Sequence, residues 1–435
     1  MVATTLEAQP PRSLSSGFAR AAVLVVVGIV STTLAQDALL GALPLRNLLK
    51  NQLHESRTAS SAFFLLSGIA WYFKPLAGIL TDAFPIFGSR RKTYLVVSAT
   101  LGTLVWLAVC AAPLQYNSLL SMMMLLSIFM MTASTVVGAI LVEAAQSSGA
   151  SGRLTAMRFG VQYGCAIVAA LAGGYLATIW FGWTAISCAF VLFLVVPAAF
   201  VTLREERVTA NSREIIAGAG QQLKRIIGAR TMWAAGGLIA LFYIAPGFST
   251  ALFYKQQTDL HLTPPMQGML TTIAACGAIA GAITYTFACR RFRLRTLMLA
   301  CLSLATVTTL GYLFYTSVFN AQVIETVHAF AGAVATMALV DLSVRATPRG
   351  SEGLGYALMI SINNFARLGT DFMGSAMLDH LHLPFSSLVL MNAGTTLIAV
   401  PLVLLLPAAL VRPRESEAHD EALRLVGHQQ DGAFD

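Results

Sequence analysis

Long apolar runs alternate along this chain with short polar segments that hold most of the charged residues. Each run has about 20 residues, which lets a helix rising 1.5 Å per residue cross a hydrocarbon layer about 30 Å thick. A transmembrane β-strand is shorter and alternates with period two, so helices are the expected spanning elements. The pattern predicts twelve membrane helices, at about 20–42, 59–82, 93–112, 118–143, 154–179, 182–203, 231–254, 264–288, 296–315, 321–344, 353–378 and 384–410.

The composition excludes a water-soluble protein. Hydrophobic residues make up 56% of the chain and charged residues 11%, whereas soluble domains carry about a quarter of charged residues. We therefore expect an integral membrane protein whose main partner is the lipid bilayer. The six cysteines fall in or beside apolar runs without paired spacing, so neither a disulfide framework nor a metal site is expected.

The net charge of +8 follows the expected topology. With both termini in the cytoplasm, most Lys and Arg fall on the cytoplasmic side, as the positive-inside rule requires. The outer loops then hold only Arg46, Lys50, Arg57 and Lys255. The excess of Lys and Arg therefore indicates how the protein is oriented in the cell (inner) membrane, and it argues against nucleic acid as a partner. The first 20 residues lack the charged, apolar and small-residue regions that follow one another in a cleaved signal peptide. We therefore expect the first apolar run to stay as a membrane anchor.

A polar stretch from Arg204 to Arg230 divides the chain into two groups of six helices. Isoleucines and leucines among its bases fit a helix on the inner leaflet, and a solvated linker fits equally well. We predict a cytoplasmic N-tail (1–19), a first six-helix bundle (20–203), a cytoplasmic linker (204–230), a second six-helix bundle (231–410) and a cytoplasmic C-tail (411–435).

The two halves also match each other weakly. Residues 78–93 align with 281–296 without gaps, with Tyr285 in place of Asp82, and Glu143 aligns with Asp341. This match supports a pseudo-two-fold bundle with a binding site between the halves.

The stretch from Gly68 to Lys92 combines an apolar helix, one internal lysine and a charged loop. On one continuous helix, Trp71, Lys74, Gly78 and Asp82 form a stripe. Lys74 and Asp82 are then about 12 Å apart along the axis, too far for a direct ion pair. Bases just across the turn are expected to neutralise Asp82, which leaves Lys74 in need of another partner.

Several motifs resemble known families. Six plus six helices, Gly-x-x-x-Asp followed by Arg-Arg-Lys after helix 2, and a basic linker resemble the major facilitator superfamily. The sequence YFKPLAGILTDAFPIFGSRRKTY (72–94) resembles the signature of the folate–biopterin transporter family. LPLRNLLKNQL (43–53), the Val142-Glu143 pair and PRGSEGLGYALMISINN (348–364) are similar to that family as well.

The resemblance implies an all-α membrane protein with twelve transmembrane helices in two pseudo-symmetric six-helix halves. It also implies a secondary active transporter that works by alternating access, without a cofactor. The implied substrates are folate-like, pterin-like or other anionic heteroaromatic metabolites, with a proton as a candidate coupling ion. Two alternatives remain: a transporter of this fold for an unrelated small molecule such as a sugar, drug or peptide fragment, and a non-transporting membrane sensor or lipid-handling protein.

Candidate substrate-binding residues lie in helices 2 and 11. An ionisable group inside a membrane segment is costly and is a functional hypothesis by default. An unpaired Lys74 would meet a substrate carboxylate; alternatively, it pairs with an acid on a neighbouring helix. Arg367 and Asp371 are spaced to neutralise each other, and the helix 11 group could instead hold helices together. The candidates are Lys74, Trp71, Asn363, Asn364 and Arg367.

Four residues are candidates for proton coupling: Asp37, Glu325, His328 and Asp371. Asp37 is a carboxyl in the outer third of helix 1, and its alternative role is an ion pair with Arg46 or Lys50. Glu325 and His328 are at i and i+3 on helix 10, close enough to relay a proton or to satisfy each other.

A candidate gating network lies at the cytoplasmic end of the first half. In the superfamily that the chain resembles, such a network latches the halves in one state; the alternative is simple topological charge. Its members are Gly78, Asp82, Arg90, Arg91, Glu143 and Arg153. The chain has no phosphate loop, nucleophile elbow or metal-spaced His/Cys cluster, so we do not expect an enzyme.

Overall fold

The computed structural model describes residues 16–148, 151–203, 212–348, 351–407 and 410. This described part is helical with short connections and contains no strand. In chain order, the helices are α1 (Ser16–Leu34), α2 (Ala42–Asn47), α3 (Arg57–Ser67), α4 (Ile69–Tyr72), α5 (Lys74–Ala83), α6 (Lys92–Ala111), α7 (Tyr116–Ser148), α8 (Ser151–Leu176), α9 (Phe181–Phe193), α10 (Val195–Thr202), α11 (Ser212–Gly228), α12 (Arg230–Tyr243), α13 (Ser249–Thr258), α14 (Pro264–Arg291), α15 (Leu294–Leu310), α16 (Val318–Ala346), α17 (Glu352–His380) and α18 (Phe385–Leu402). A π-helical turn, Leu48–Gln52, follows α2, and 3₁₀ turns, Gly311–Phe314 and Val403–Leu405, follow α15 and α18.

Every predicted membrane segment overlaps one helix or a run of consecutive helices. Within the described residues, eight spans are long and apolar enough to cross a membrane, and they coincide with the predicted segments 3–6, 8–10 and 12. The other four segments overlap α1, α3–α5, α12–α13 and α17, which are shorter, broken or more polar. The chain is therefore an all-α integral membrane protein.

Helix 2 is broken, so the prediction of one continuous helix over 59–82 is wrong. The helical path is interrupted at Gly68 and at Phe73, and α5 restarts with Pro75 in its first turn. Proline has no N–H to donate, and its ring would clash with the carbonyl four residues earlier in an unbroken helix. Trp71 and Lys74 therefore lie on different helices, and the predicted single stripe does not form.

Helix 7 has a similar break between α12 and α13, at Pro246 and Gly247. The Gly247 N–H donates to the Thr370 carbonyl of α17 at 2.9 Å. A Cβ atom on Gly247 would lie 2.8 Å from the backbone nitrogen of Asp371. Only glycine allows the broken segment to cross α17 this closely.

Each half has its own apolar core. One cluster of buried residues extends over positions 24–199, with the fully buried Trp106 in it, and a second extends over positions 226–410. The Trp106 Nε1–H donates to the Ala35 carbonyl at 3.0 Å, which satisfies an acceptor just beyond the end of α1. The halves meet mainly where α17 packs on α3–α5 and α14 packs on α8.

The part of the linker that the structure describes forms the helix α11, and its placement on the inner leaflet stays a prediction. One face of α11 packs against α5, α12 and α17, and Ile226 is buried there. Ile216, Leu223 and Ile227 form an exposed apolar stripe beside that face. The helix meets α12 at an angle of 73°, and Trp233 Nε1 donates to the Ile227 carbonyl across this bend at 2.7 Å.

Candidate functional site

Polar contacts join the two halves at one end of the bundle, which we call the sealed end. Its strongest contact is an ion pair between Arg57 Nε and Asp379 Oδ1 at 2.8 Å. The backbone N–H and the hydroxyl of Thr58 both donate to Asp379 Oδ2 at 2.8 Å. The Tyr254 hydroxyl lies 2.8 Å from Ser60 Oγ. The sealed end comprises Asn47, Asn51, Arg57, Thr58 and Ser60 of the first half with Ser249, Tyr254, Gln257 and Asp379 of the second.

Arg46 lies between the halves rather than in an outer loop. Its guanidinium donates to Ser249 Oγ at 3.1 Å. It is 5.3 Å from the centroid of the Phe64 ring and 5.9 Å from that of Phe253. The two rings, one from each half, stabilise the cation by cation–π contact.

Small residues allow α8 and α14 to touch through their backbones near the sealed end. A Cβ atom on Gly174 would lie 2.9 Å from the Pro264 carbonyl oxygen and 3.1 Å from the Gly268 Cα atom. By contrast, Gly164, further along α8, has open space at its Cβ position. A side chain is therefore excluded at Gly174 and tolerated at Gly164.

Lys74 has no acidic partner among the described side chains, so the described residues do not supply the predicted ion pair to a neighbouring helix. Its Nζ atom lies 3.5 Å from Ser134 Oγ on α7 and 5.3 Å from the centroid of the Trp71 ring. Arg158 on α8 is close enough for its positive charge to act on Lys74. Burial of two like charges without an anion is unfavourable, so the arrangement favours a negatively charged ligand.

Arg367 on α17 lies between the halves. Its charge acts on the hydroxyl groups of Tyr72 in the first half and Tyr243 in the second half, and also on Arg46. Its own side chain is exposed and has no ion pair among the described residues. Asn363, one turn before it, interacts with the Tyr243 hydroxyl, and Asn364 is half-buried.

Asp371 does not neutralise Arg367, contrary to the pairing that its spacing suggested. It is buried, and its two oxygens accept hydrogen bonds from the Thr250 N–H at 2.9 Å and the Thr250 hydroxyl at 2.6 Å. The carboxylate therefore caps the start of α13. Capping of α13 is a structural role, and it explains why helix 11 contains a buried acid without invoking a bound ligand.

Asp37 is buried beyond the end of α1, where Ser67 Oγ donates to it at 3.0 Å. The alternative pairing with Arg46 or Lys50 is wrong. Arg46 binds Ser249, and Lys50 Nζ lies 3.4 Å from the Tyr254 carbonyl.

Glu325 and His328 contact different groups rather than each other. Glu325 Oε1 accepts from the Tyr315 hydroxyl at 2.5 Å and from Gln256 Nε2 at 2.7 Å. His328 Nδ1 lies 3.3 Å from Thr308 Oγ1, and its ring is 5.1 Å from that of Tyr312. Because Tyr312 and Tyr315 stack on each other, this aromatic pair lies between the groups that the acid and the imidazole contact.

The opposite end, which we call the loop end, carries ion pairs within each half. Asp82 pairs with Arg91 at 2.7 Å in the first half, and Asp341 pairs with Arg345 at 3.0 Å in the second. The Tyr285 hydroxyl, at the position aligned with Asp82, lies 3.4 Å from Asp341. Arg90 is half-buried, and a Cβ atom on Gly78 would make only an ordinary contact with Thr135. The side chains of Glu143 and Arg153 lie outside the described residues.

A family model described as the BT1 family matches residues 38–424. The chain belongs to the BT1 family. This BT1 chain is 26% identical over 411 residues to the folate-biopterin transporter of Synechocystis sp., covering 88% of this chain and 82% of that one. It is 24% identical to folate transporter 1 of Plasmodium falciparum, covering 76% and 68%.

Solved structures similar to the BT1 chain identify its fold. A D-xylose–proton symporter aligns with a TM-score of 0.66 at 14% identity, over 90% of this chain and 98% of that one. The nucleoside transporter NupG aligns with a TM-score of 0.65 at 12% identity, over 90% and 99%. The fold is therefore that of major facilitator transporters, and family and fold together indicate a transporter of a small molecule rather than an enzyme.

Sequence reasoning missed several residues that the BT1 structure brings into the site. Arg158 looked like an ordinary cytoplasmic-side charge, although it lies only four residues into the predicted fifth segment. Gln256, Gln257 and Gln267 were not singled out, because neutral amides at a helix end carry little sequence signal. The sequence signal that could have found them is their proximity, since all three lie within twelve residues that include the start of α14.

Proposed function

We propose that this BT1 chain is a secondary active transporter that moves an anionic heteroaromatic metabolite of the folate or pterin class by alternating access. Relatives named as folate and folate–biopterin transporters support the substrate class. The fold supports the mechanism, because it consists of two halves with separate cores and a contact that can open.

One observation carries the proposal: three cations within the predicted membrane segments lack an acidic partner among the described residues. They are Lys74 and Arg158 of the first half and Arg367 of the second. Charged side chains inside membrane proteins are expensive and usually serve a substrate or ion pathway. Trp71 beside Lys74, and Tyr72 and Tyr243 near Arg367, offer aromatic surfaces for a flat ring.

In this proposal, residues 20–203 and 231–410 are the moving halves, and both termini face the cytoplasm of a cell with the protein in its inner membrane. The sealed end then faces outward, and the structure corresponds to a state closed to the outside. Asp82, Arg90 and Arg91, with Glu143 and Arg153, serve as the inner gate. Protons are the proposed coupling ions, with Asp37, Glu325, His328 and Asp371 as candidate sites.

The test is uptake of labelled folate and labelled biopterin into proteoliposomes, with and without an inward proton gradient. We expect saturable uptake by the wild type and a loss of at least tenfold in Lys74→Ala, since one charge-assisted contact contributes about 1.5–3 kcal/mol. Lys255→Ala is the matched control, because Lys255 pairs with Asp259 at the surface and not in the central region.

Two results would overturn the proposal. Absence of uptake of either compound by correctly folded protein removes the substrate class. Equal competition by neutral sugars and by folate removes the requirement for an anion. Equal uptake by Lys74→Ala and Lys255→Ala would show that Lys74 does not contact the substrate.

A further inference from the structure

Glu325 is a half-buried acid in α16 whose hydrogen-bond donors are uncharged. Its hydrogen-bond donors are the Tyr315 hydroxyl, from the turn after α15, and the side-chain amide of Gln256 on α13. Among the described residues, no lysine or arginine pairs with it. A carboxylate partly withdrawn from water without a neighbouring cation is costly to keep ionised, so this group is suited to binding and releasing a proton.

The titratable groups around Glu325 are otherwise engaged. Tyr312 stacks on Tyr315, and His328, one turn further along α16, contacts Thr308 and the Tyr312 ring. On α13, Lys255 pairs with Asp259 at 2.6 Å. On α14, the neutral Gln267 extends this set of side chains. The helices α12 and α17 also pack against α16, and among the described residues neither places a charged group in contact with Glu325.

From Glu325, a line of side-chain amides runs towards the first half. Gln256 donates to Glu325; Gln267 Nε2 donates to Gln256 Oε1 at 2.9 Å. Gln257 Nε2 donates to Gln267 Oε1 at 3.2 Å, and Asn51 Nδ2 donates to Gln257 Oε1 at 3.3 Å. Along this line, each of the three glutamines accepts on one side and donates on the other, and the donors of these four bonds point towards Glu325. Gln257 Nε2 also donates to Asn47 Oδ1 of the first half at 3.4 Å.

The last bond of this line crosses between the halves. Asn51 lies in the π-helical turn after α2, whereas Gln257 lies in α13. Asn51 also donates to Asn47 Oδ1 at 2.6 Å, and Asn47 in turn donates to the Ala177 carbonyl at 2.9 Å. The amide line is therefore part of the sealed end and is anchored in the first half.

A negative charge at one end of such a line strengthens it. Hydrogen bonds to an ionised group are roughly twice as strong as neutral ones, and aligned amides in a low dielectric polarise each other. An ionised Glu325 thus stabilises the sealed end, and a neutral Glu325 stabilises it less.

We propose that Glu325 binds the coupling proton and that Gln256, Gln267 and Gln257 transmit its protonation state to the sealed end. This inference rests on the proposed function, because coupling requires a transporter. Addition of one proton converts the carboxylate to a neutral carboxyl group, the bonds of the amide line weaken, and the halves separate at the sealed end. Release of that proton restores the contact.

The test measures the width of the sealed end directly. Spin labels are attached at Gln52→Cys in the first half and Leu381→Cys in the second, both exposed, in a Cys276→Ala background. Electron–electron distances are recorded in nanodiscs between about pH 8 and pH 5. We expect the separated population of the wild type to rise roughly tenfold over this range, the usual scale of coupling between linked sites.

Two variants and one control decide the result. Glu325→Gln should show the separated population at every pH, and Gln267→Met should lose the pH response although Glu325 is intact. Gln115→Met, which replaces an exposed amide in the connection between α6 and α7 outside the amide line, should respond as the wild type does. A wild-type pH response in Glu325→Gln overturns the proposal. A wild-type pH response in Gln267→Met overturns it as well. If Glu325→Gln fails to fold, the result for Gln267→Met alone decides whether the amide line transmits the protonation state.

A transport measurement separates this inference from the proposed function. Glu325→Gln should retain substrate exchange without a gradient and lose acceleration by an inward proton gradient. If the wild type transports neither folate nor biopterin, the proposed function fails, and the spin-label experiment still decides whether Glu325 controls the sealed end. Full gradient-driven acceleration in Glu325→Gln would contradict the inference alone.

Discussion

The sealed end and the loop end of the bundle use their polar residues in opposite ways. At the sealed end, Arg57 and Asp379 form an ion pair between residues 322 positions apart, one from each half. At the loop end, Asp82 pairs with Arg91 and Asp341 pairs with Arg345, each within its own half. The same chemistry therefore holds the halves together at the sealed end and, in these two pairs, acts within one half at the loop end.

The largest effect is expected from placing a side chain in the contact between α8 and α14. Gly174→Ala would bring its Cβ within 2.9 Å of the Pro264 carbonyl oxygen, and backbone atoms cannot move aside as a side chain can. We expect a loss of about 1–3 kcal/mol, the usual cost of overpacking, with a wider sealed end. Thermal unfolding and the spin-label pair measure both effects.

Gly164→Ala on the same helix is the control, because nothing lies near its Cβ position. It should be neutral or stabilising by up to about 1 kcal/mol, the difference in helix propensity. Equal effects of the two alanines would mean that the α8–α14 contact does not hold the halves together.

The next largest effect is expected when an aspartate is replaced by asparagine at each end of the bundle in turn. Asp379→Asn removes the charge that Arg57 and Thr58 bind across the halves, whereas Asp82→Asn removes an ion pair within one half. We expect Asp379→Asn to increase the separated population at the sealed end about tenfold and Asp82→Asn to leave it unchanged. This expected increase is modest because Arg57 is partly exposed to solvent.

The spin-label distances at neutral pH measure this difference. A shift of the sealed end in Asp82→Asn as large as that in Asp379→Asn would show that the loop-end pair also acts across the halves.

The pH response should separate Asp379 from Glu325. Burial acts to raise the pKa of Asp379, but the hydrogen bonds from Thr58 and Arg57 outweigh it and hold the pKa below the ordinary value of 3.8. A lowered pKa means that this contribution is complete above 3.8 and is lost as the pH falls through the lowered value. Asp379→Asn should therefore keep the pH response between 5 and 8 and lose only the response below about 4.

A pH titration of the sealed-end distance from 8 to 3 tests this separation. If Asp379→Asn abolished the response above pH 5, then Asp379 rather than Glu325 would be the group that titrates there.

The smallest effect is expected at the edge of the sealed end. Lys255 and Asp259 are one turn apart on α13, and the hydrogen bond from Lys255 is the main reason that the pKa of Asp259 is lowered. Exposed pairs of this kind contribute about 0.3–0.5 kcal/mol and weaken with salt. Lys255→Gln should change the unfolding temperature and the sealed-end distance by less than Asp379→Asn does. An equal change would place Lys255 in the contact between the halves.

Hydrophobic runs predicted the helical fold well, because burial in lipid demands long apolar helices whatever their partners. The helix 2 break was only partly foreseeable: Pro75 indicated a kink, but the interruptions at Gly68 and Phe73 depend on packing against α17 and α7. The break at Pro246 and Gly247 was not predicted at all.

Side-chain partners were harder to predict than helices. Local spacing suggested that Asp371 binds Arg367 and that Glu325 faces His328, yet both acids bind groups on α13 that are far away in sequence. Arg46 was assigned to a loop, and it contacts Ser249, 203 residues later. Spacing along one helix shows which side chains share a face but not which neighbour is opposite.

Tryptophan fluorescence at the bend between α11 and α12 can report the conformational state of the protein. Since α11 packs on α5 of the first half as well as on α12 and α17 of the second, we expect rocking of the halves to change this 73° angle. Trp233 spans the bend through its bond to the Ile227 carbonyl, and its indole is otherwise exposed. In a variant whose other four tryptophans are replaced by phenylalanine, the emission wavelength of this indole should therefore follow the rocking of the halves, without any attached label.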